Sequence, residues 1–162
     1  MATLAVTITE SVTLNGAARG STNSLSITGV NDIYHRIVSC PDDVPLSLVT
    51  FKSTVGVTIA EQLMAIELVK YIRITNLNGT HPIILNLLID SAESAAGAAD
   101  MSTSIEVEAG KSFIFGSPHL SISNDDDAAT VNVSNVALFD LRSIHLDPVS
   151  EAVQVEVFIA SA

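Results

Sequence analysis

Asn124-Asp125-Asp126-Asp127 is the densest acidic run in the chain, and oxygen donors gathered on one loop are what Ca²⁺ and other hard cations take. The spacing is not that of an EF-hand loop, and no later Glu sits at the offset that would close one. Asp125, Asp126 and Asp127 are therefore candidate metal ligands that rank second to a solvated turn. Glu106 and Glu108 fall on one face of an expected strand, about 6.5–7 Å apart, a separation that a carboxylate pair in glycoside hydrolysis could use. Alternating Glu also keeps the wet face of an amphipathic strand soluble, and that is the favoured reading.

The other chemistry-bearing residues are dispersed. His35, His81, His119 and His145 lack the i, i+4 or i, i+2 spacing of metal ligands and read as surface or interface residues. Cys40 is the single cysteine, so neither an intrachain disulfide nor a cysteine metal site can be built, and it reads as a small buried hydrophobe. No serine occupies a G-x-S-x-G elbow and no Gly-rich phosphate loop is present. The expectation is a chain with no catalytic residue and no cofactor site, not an enzyme. Carbohydrate binding, the usual rival for a β-sandwich, rests on aromatic platforms. This chain has no Trp, and Tyr34 and Tyr71 lie inside apolar runs where core packing is the better reading.

The elements that would position these residues are strands. Leu4, Val6 and Ile8 alternate with Ala5, Thr7 and Thr9, and Val12 and Leu14 extend the pattern to Asn15-Gly16. A small-residue loop is expected over Ala17 to Asn23, followed by strand material at Leu25–Ile27, Ile33–Val38, Leu46–Phe51 and Val55–Ile59. Ile59 to Ile66 is the one window with helical spacing, although an extended or looped segment is favoured there. The central stretch, Glu67 to Asp90, reads as two long strands joined into a hairpin by a tight turn at Asn78-Gly79. Ser91 to Ser102 reads as a long surface loop. Beyond it, Ile105–Val107, Phe113–Phe115, Leu120–Ile122, Val131–Val133, Val136–Leu141, Ile144–Leu146 and Val153–Phe158 complete nine or ten short strands. Turn signals every 8 to 12 residues give one all-β domain over residues 1–162, an antiparallel β-sandwich of jelly-roll type.

Composition narrows the function. Of the 162 residues 48% are hydrophobic and only 15% charged, against roughly 25% charged in an average domain. Such a surface suits a subunit that buries area against other subunits. Seven basic residues against eighteen acidic ones give a formal −11, and the basic residues are scattered singly, so nucleic-acid binding is disfavoured. No basic and then apolar leader opens the chain, and the apolar run Pro82–Ile89 is far short of the roughly 20 residues of a membrane span. A soluble protein made in a cytosol is expected, with no membrane partner.

Four stretches in succession carry a resemblance: Ala2–Ser11 (ATLAVTITES), Lys70–Leu77 (KYIRITNL), Glu108–Phe113 (EAGKSF) and Val155–Ser161 (VEVFIAS). Together they resemble small virion structural proteins of tailed bacteriophages, particularly marine ones. The resemblance implies a β-rich protein that coats or caps an assembled particle, on the capsid shell or on the tail. With the negative charge, which suits a particle's exterior, and the low charge density, the expected role is capsid decoration: a homo-oligomer, with a trimer as the first candidate, assembled in the host cytoplasm and docked on the major capsid protein. The alternatives are a tail or fibre component that meets the host surface and a ligand- or carbohydrate-binding sandwich. The Leu4–Ile8 strand and the Ser91–Ser102 loop are the candidate contact segments.

Overall fold

Period-two alternation becomes strand wherever one face can be buried, and this chain does so almost throughout. The computed structural model describes residues 1–42, 44–52, 64–89, 101–116 and 140–162. An N-terminal segment holds β1 (Ala2–Thr9), β2 (Thr13–Leu14), β3 (Ala17–Ala18) and β4 (Thr22–Val30). The body holds β5 (Asp32–Cys40), β6 (Leu46–Lys52), β7 (Met64–Ala65), β8 (Val69–Asn76), β9 (Ile83–Ile89), β10 (Met101–Val107), β11 (Ser112–Phe115), β12 (Leu141–Pro148) and β13 (Val153–Ser161).

The body is a two-layer sandwich. One sheet has the order β11-β8-β13-β5 and the other β10-β9-β12-β6-β7. Leaving out β7, which adds a short parallel pairing to β6, the body strands nest antiparallel in four pairs: β5 with β13, β6 with β12, β8 with β11, and β9 with β10. First pairs with eighth, second with seventh, third with sixth, fourth with fifth. A long antiparallel ribbon wound around a barrel produces this nesting, which is the jelly roll. In β13, Val153, Val155, Val157 and Ile159 are buried while Gln154, Glu156 and Phe158 point the other way. Ile72, Ile74, Leu85, Ile144 and Leu146 meet that row from the other strands in one core, all fully buried. Each such side chain contributes about 1.5–3 kcal/mol by leaving water. β13 ends inside its sheet, between β5 and β8.

The central stretch departs from expectation. β8 and β9 both form, but they belong to opposite sheets and do not pair. Residues 77–82 cross from one layer to the other, and Gly79 does not hold a positive φ. Asn76 explains the crossing. It is fully buried, and its amide nitrogen donates to the carbonyls of His81 (2.9 Å), Val107 (3.2 Å) and Glu108 (3.3 Å) while its Oδ1 accepts from the Asn78 N–H at 3.0 Å. Asn78 Oδ1 then accepts from the N–H groups of Thr80 and His81. The run therefore makes two side-chain-capped turns instead of a hairpin.

The tight hairpin turn lies at the other Asn-Gly. Asn15 (φ 51°) and Gly16 (φ 78°) both hold positive φ, as a two-residue primed turn requires. Ala17 to Asn23 is consequently not a loop: it contains β3 and the start of β4. Of the window Ile59–Ile66, residues 64–65 are the strand β7 and Ile66 opens a 3₁₀ turn, Ile66–Leu68; the rest lies outside the described residues. So do the expected strands at Val55–Ile59, Leu120–Ile122 and Val131–Val133, residues 136–139 of the expected strand Val136–Leu141, whose last residue opens β12, and residues 91–100 of the expected loop, whose last two residues are in β10.

Candidate functional site

The first thirty residues form an arm. From Thr3↔Thr28 through Leu4↔Ile27 and Val6↔Leu25 to Leu14↔Ala17 the two strands keep one register, continued between strand segments by the bonds Glu10 N–H to Ser21 O and Arg19 N–H to Val12 O. Alternation then sorts the side chains. Leu4, Val6, Ile8, Val12, Leu14, Leu25 and Ile27 share one face with Glu10, Arg19, Ser21 and Asn23, while the other carries Thr, Ser, Ala and Gly. Thr7 with Ser24 and Thr22 with Thr9 are hydroxyl pairs on that polar face. Opposite Ser11, Gly20 has no room for a side chain, because a Cβ there would run into the Glu10 carbonyl. At the base, Gly29 (φ 75°) accompanies a register shift between Ala2 and Thr3; a left-handed glycine at such a bulge bends the ribbon.

That bend lays the base of the arm on the outer face of the four-stranded sheet. Tyr71, Ala160 and Val30 are buried there and Leu4, Val6, Ile27 and Phe158 pack on them. The Tyr71 ring meets Phe158 edge-on at 6.1 Å between centroids. Burial pushes the Tyr71 phenol up from its ordinary range, with the nearby Arg73 opposing in part. Between arm and sheet lies a groove of about 260 Å³, lined by residues 4–7, Tyr71, Arg73 and Phe158.

Next along the sheet, Glu156 joins Arg73 and His35. Its Oε2 accepts from Arg73 Nη2 at 2.8 Å, and its Oε1 lies 2.8 Å from His35 Nε2. Arg73 also lies over the Phe158 ring at 5.9 Å, and His35 flanks the same ring at 5.7 Å. With the Arg73 guanidinium bonded to Glu156, the groove has an apolar wall beside a neutralised pair.

The arm outreaches this contact. Ile8, Val12, Leu14 and Leu25 are 48%, 52%, 60% and 51% exposed. On the sheet, Ile33 and Ile37 of β5 pair with Ala160 and Glu156 of β13, so they share the outer face with the groove, and they are 52% and 64% exposed.

The residues singled out in the sequence are distributed as follows. Asp125, Asp126, Asp127 and His119 lie outside the described residues. Glu106 and Glu108 are both exposed, Glu106 near the end of β10 and Glu108 just past it. His81 Nδ1 bonds Thr80 Oγ1 at 2.8 Å in the crossing segment, and His145 Nε2 bonds Ser143 Oγ at 2.9 Å on β12, so these two and His35 stand apart. Among the described residues, no three His, Cys, Asp or Glu side chains are grouped to hold a metal ion. Cys40 is fully buried and its thiol donates to the Val44 carbonyl at 3.2 Å. Tyr71 is buried, but beneath the arm and not in the main core. The His35–Glu156–Arg73 cluster joins residues 83 and 121 positions apart. The strand pairing alone brings these three residues together, so no local motif marks them.

Comparison with protein-family models, with curated proteins and with solved structures finds no match for this chain.

Proposed function

We propose that this chain is a non-enzymatic structural subunit of a bacteriophage virion, a decoration protein that docks on the major capsid protein at the particle exterior and stabilises the shell. The observation that carries this reading is the arm: its apolar residues continue past the contact with the body, where Ile8, Val12, Leu14 and Leu25 are left uncovered around Glu10 and Arg19. A free monomer gains nothing by keeping such a stripe in water, whereas a subunit finished by its neighbours does. The jelly-roll body and the low charged fraction support the same reading, as does the resemblance of four successive stretches to small virion proteins. A formal charge of −11 suits a surface turned away from packaged nucleic acid.

The mechanism is burial of apolar and backbone-edge surface between subunits, adding contact area where internal pressure strains the shell. Co-sedimentation of the purified protein with intact and decoration-stripped phage capsids tests it. Saturable binding at a fixed ratio to the capsid protein supports the proposal, and a protein left in the supernatant overturns it.

A further inference from the structure

Among the described residues, eleven large hydrophobic side chains are exposed, and seven of them sit on two surfaces. Ile8, Val12, Leu14 and Leu25 lie on the arm beyond its contact with the body. Ile33, Ile37 and Ile114 lie on the outer face of the four-stranded sheet, where Ile114 pairs with Arg73. These are continuations of the same two surfaces that already pack together within one chain at Leu4, Val6, Tyr71 and Phe158. We propose that the uncovered end of the arm docks on the outer face of the four-stranded sheet of a second copy of this chain, covering Ile33 and Ile37. The inference rests on the assembly reading above and names the neighbour that completes the arm.

Continuity selects a second copy as the occupant: the exposed arm residues extend the face that packs on this same sheet within one chain, and charge sets how the copies approach. Residues 1–30 contain only Glu10 and Arg19, a net of zero, so the formal −11 belongs entirely to residues 31–162. Two bodies of that charge repel at close range. The stretch from Ile8 to Leu14 spans about 20 Å at roughly 3.3 Å per residue, more than twice the screening length of about 8 Å at physiological salt. A ribbon of zero net charge and that reach brings Ile8, Val12, Leu14 and Leu25, with Glu10 and Arg19 among them, to the neighbour while the acidic bodies stay apart. It arrives on a patch where, among the described residues, the one acidic group, Glu156, is already bonded by Arg73.

Ile8→Asp combined with Leu25→Asp, and separately Ile37→Asp, alter exposed positions and leave the core untouched. Each is expected to weaken self-association by at least tenfold, about 1.4 kcal/mol, in sedimentation equilibrium, with the far-UV spectrum and unfolding midpoint unchanged. Under mild oxidation, a mixture of Leu14→Cys and Ile37→Cys proteins is expected to yield a disulfide-linked pair of copies. Replacing the second by Val149→Cys, exposed on the β12–β13 turn, should not. Wild-type association in the Asp variants, or a wild-type monomer at about 0.1 mM, where a micromolar interface would be filled, overturns the inference. Capsid co-sedimentation separates the two ideas. A monomer that still binds capsids saturably keeps the decoration role and discards the arm exchange. An arm-linked oligomer that ignores capsids does the reverse.

Discussion

Val6 and Leu25 stand directly across from each other in the arm and share its apolar face, yet Val6 packs on the body and Leu25 is 51% exposed. That pair marks the line where the chain's own sheet stops covering its arm. Everything on the Tyr71 side of it belongs to the folding unit, and everything on the Leu14 side is held by the ribbon alone.

Stability should divide along that line. Leu25→Ala is expected to change the free energy of unfolding by no more than about 0.5 kcal/mol, as for exposed sites generally. Tyr71→Ala, which empties the contact beneath the arm, is expected to cost about 3 kcal/mol. Urea unfolding of the two variants against wild type measures the contrast.

The layer crossing depends on one amide. Asn76→Ala leaves three carbonyls and the Asn78 N–H without their partner, for an expected loss of about 2–3 kcal/mol. Asn76→Asp should be worse than a conservative change suggests, because a carboxylate cannot donate to the carbonyls of His81, Val107 and Glu108. Denaturant midpoints at neutral pH order the three proteins.

Alkaline pH should weaken the fold. Burial is the main cause that raises the Cys40 thiol, with Asp147 adding to it, and burial likewise raises the Tyr71 phenol. Above the ordinary thiol value of about 8.5, the unfolded chain gives up a proton that the native chain retains. The native state then binds more protons than the unfolded one, and stability falls as pH rises. The contribution is complete below the unfolded value and lost as pH climbs through the folded one. Unfolding free energies measured from pH 7 to pH 10 should decline, and Cys40→Ala should flatten the first part of the decline.

The arm turn should fail locally. Gly16→Val places a β-branched residue at φ 78°, which strains the turn by about 1–2 kcal/mol. Amide exchange is expected to quicken in residues 10–21 while body amides keep their protection.

Much of the fold was legible because strands alternate: Val153, Val155 and Val157 announce one buried row, and Leu4, Val6 and Ile8 announce the arm strand, where Leu4 and Val6 are half-buried and Ile8 is exposed. Alternation does not say which sheet a strand joins. β8 and β9 were readable as strands, but their placement in opposite layers depends on Asn76 meeting carbonyls from the β10 end, a contact no local pattern encodes. The two Asn-Gly pairs show the same limit, since only Asn15-Gly16 takes the positive φ angles of a hairpin. Ala17 to Asn23 passed for a loop because small polar residues also form the wet face of a two-stranded ribbon. Of the two surfaces in the proposed contact, the Leu4–Ile8 strand is one that alternation shows, whereas Ile33, Ile37, Arg73 and Glu156 become one face only through the register of β5, β13 and β8.

The most direct test of the central claim is binding to the particle itself. Purified protein is titrated onto intact and decoration-stripped phage capsids, pelleted, and quantified against the major capsid protein. A plateau at a fixed stoichiometry on stripped shells, together with shells that withstand more heat before opening, is the expected result. Protein that stays in the supernatant at every concentration, with shell stability unchanged, contradicts it.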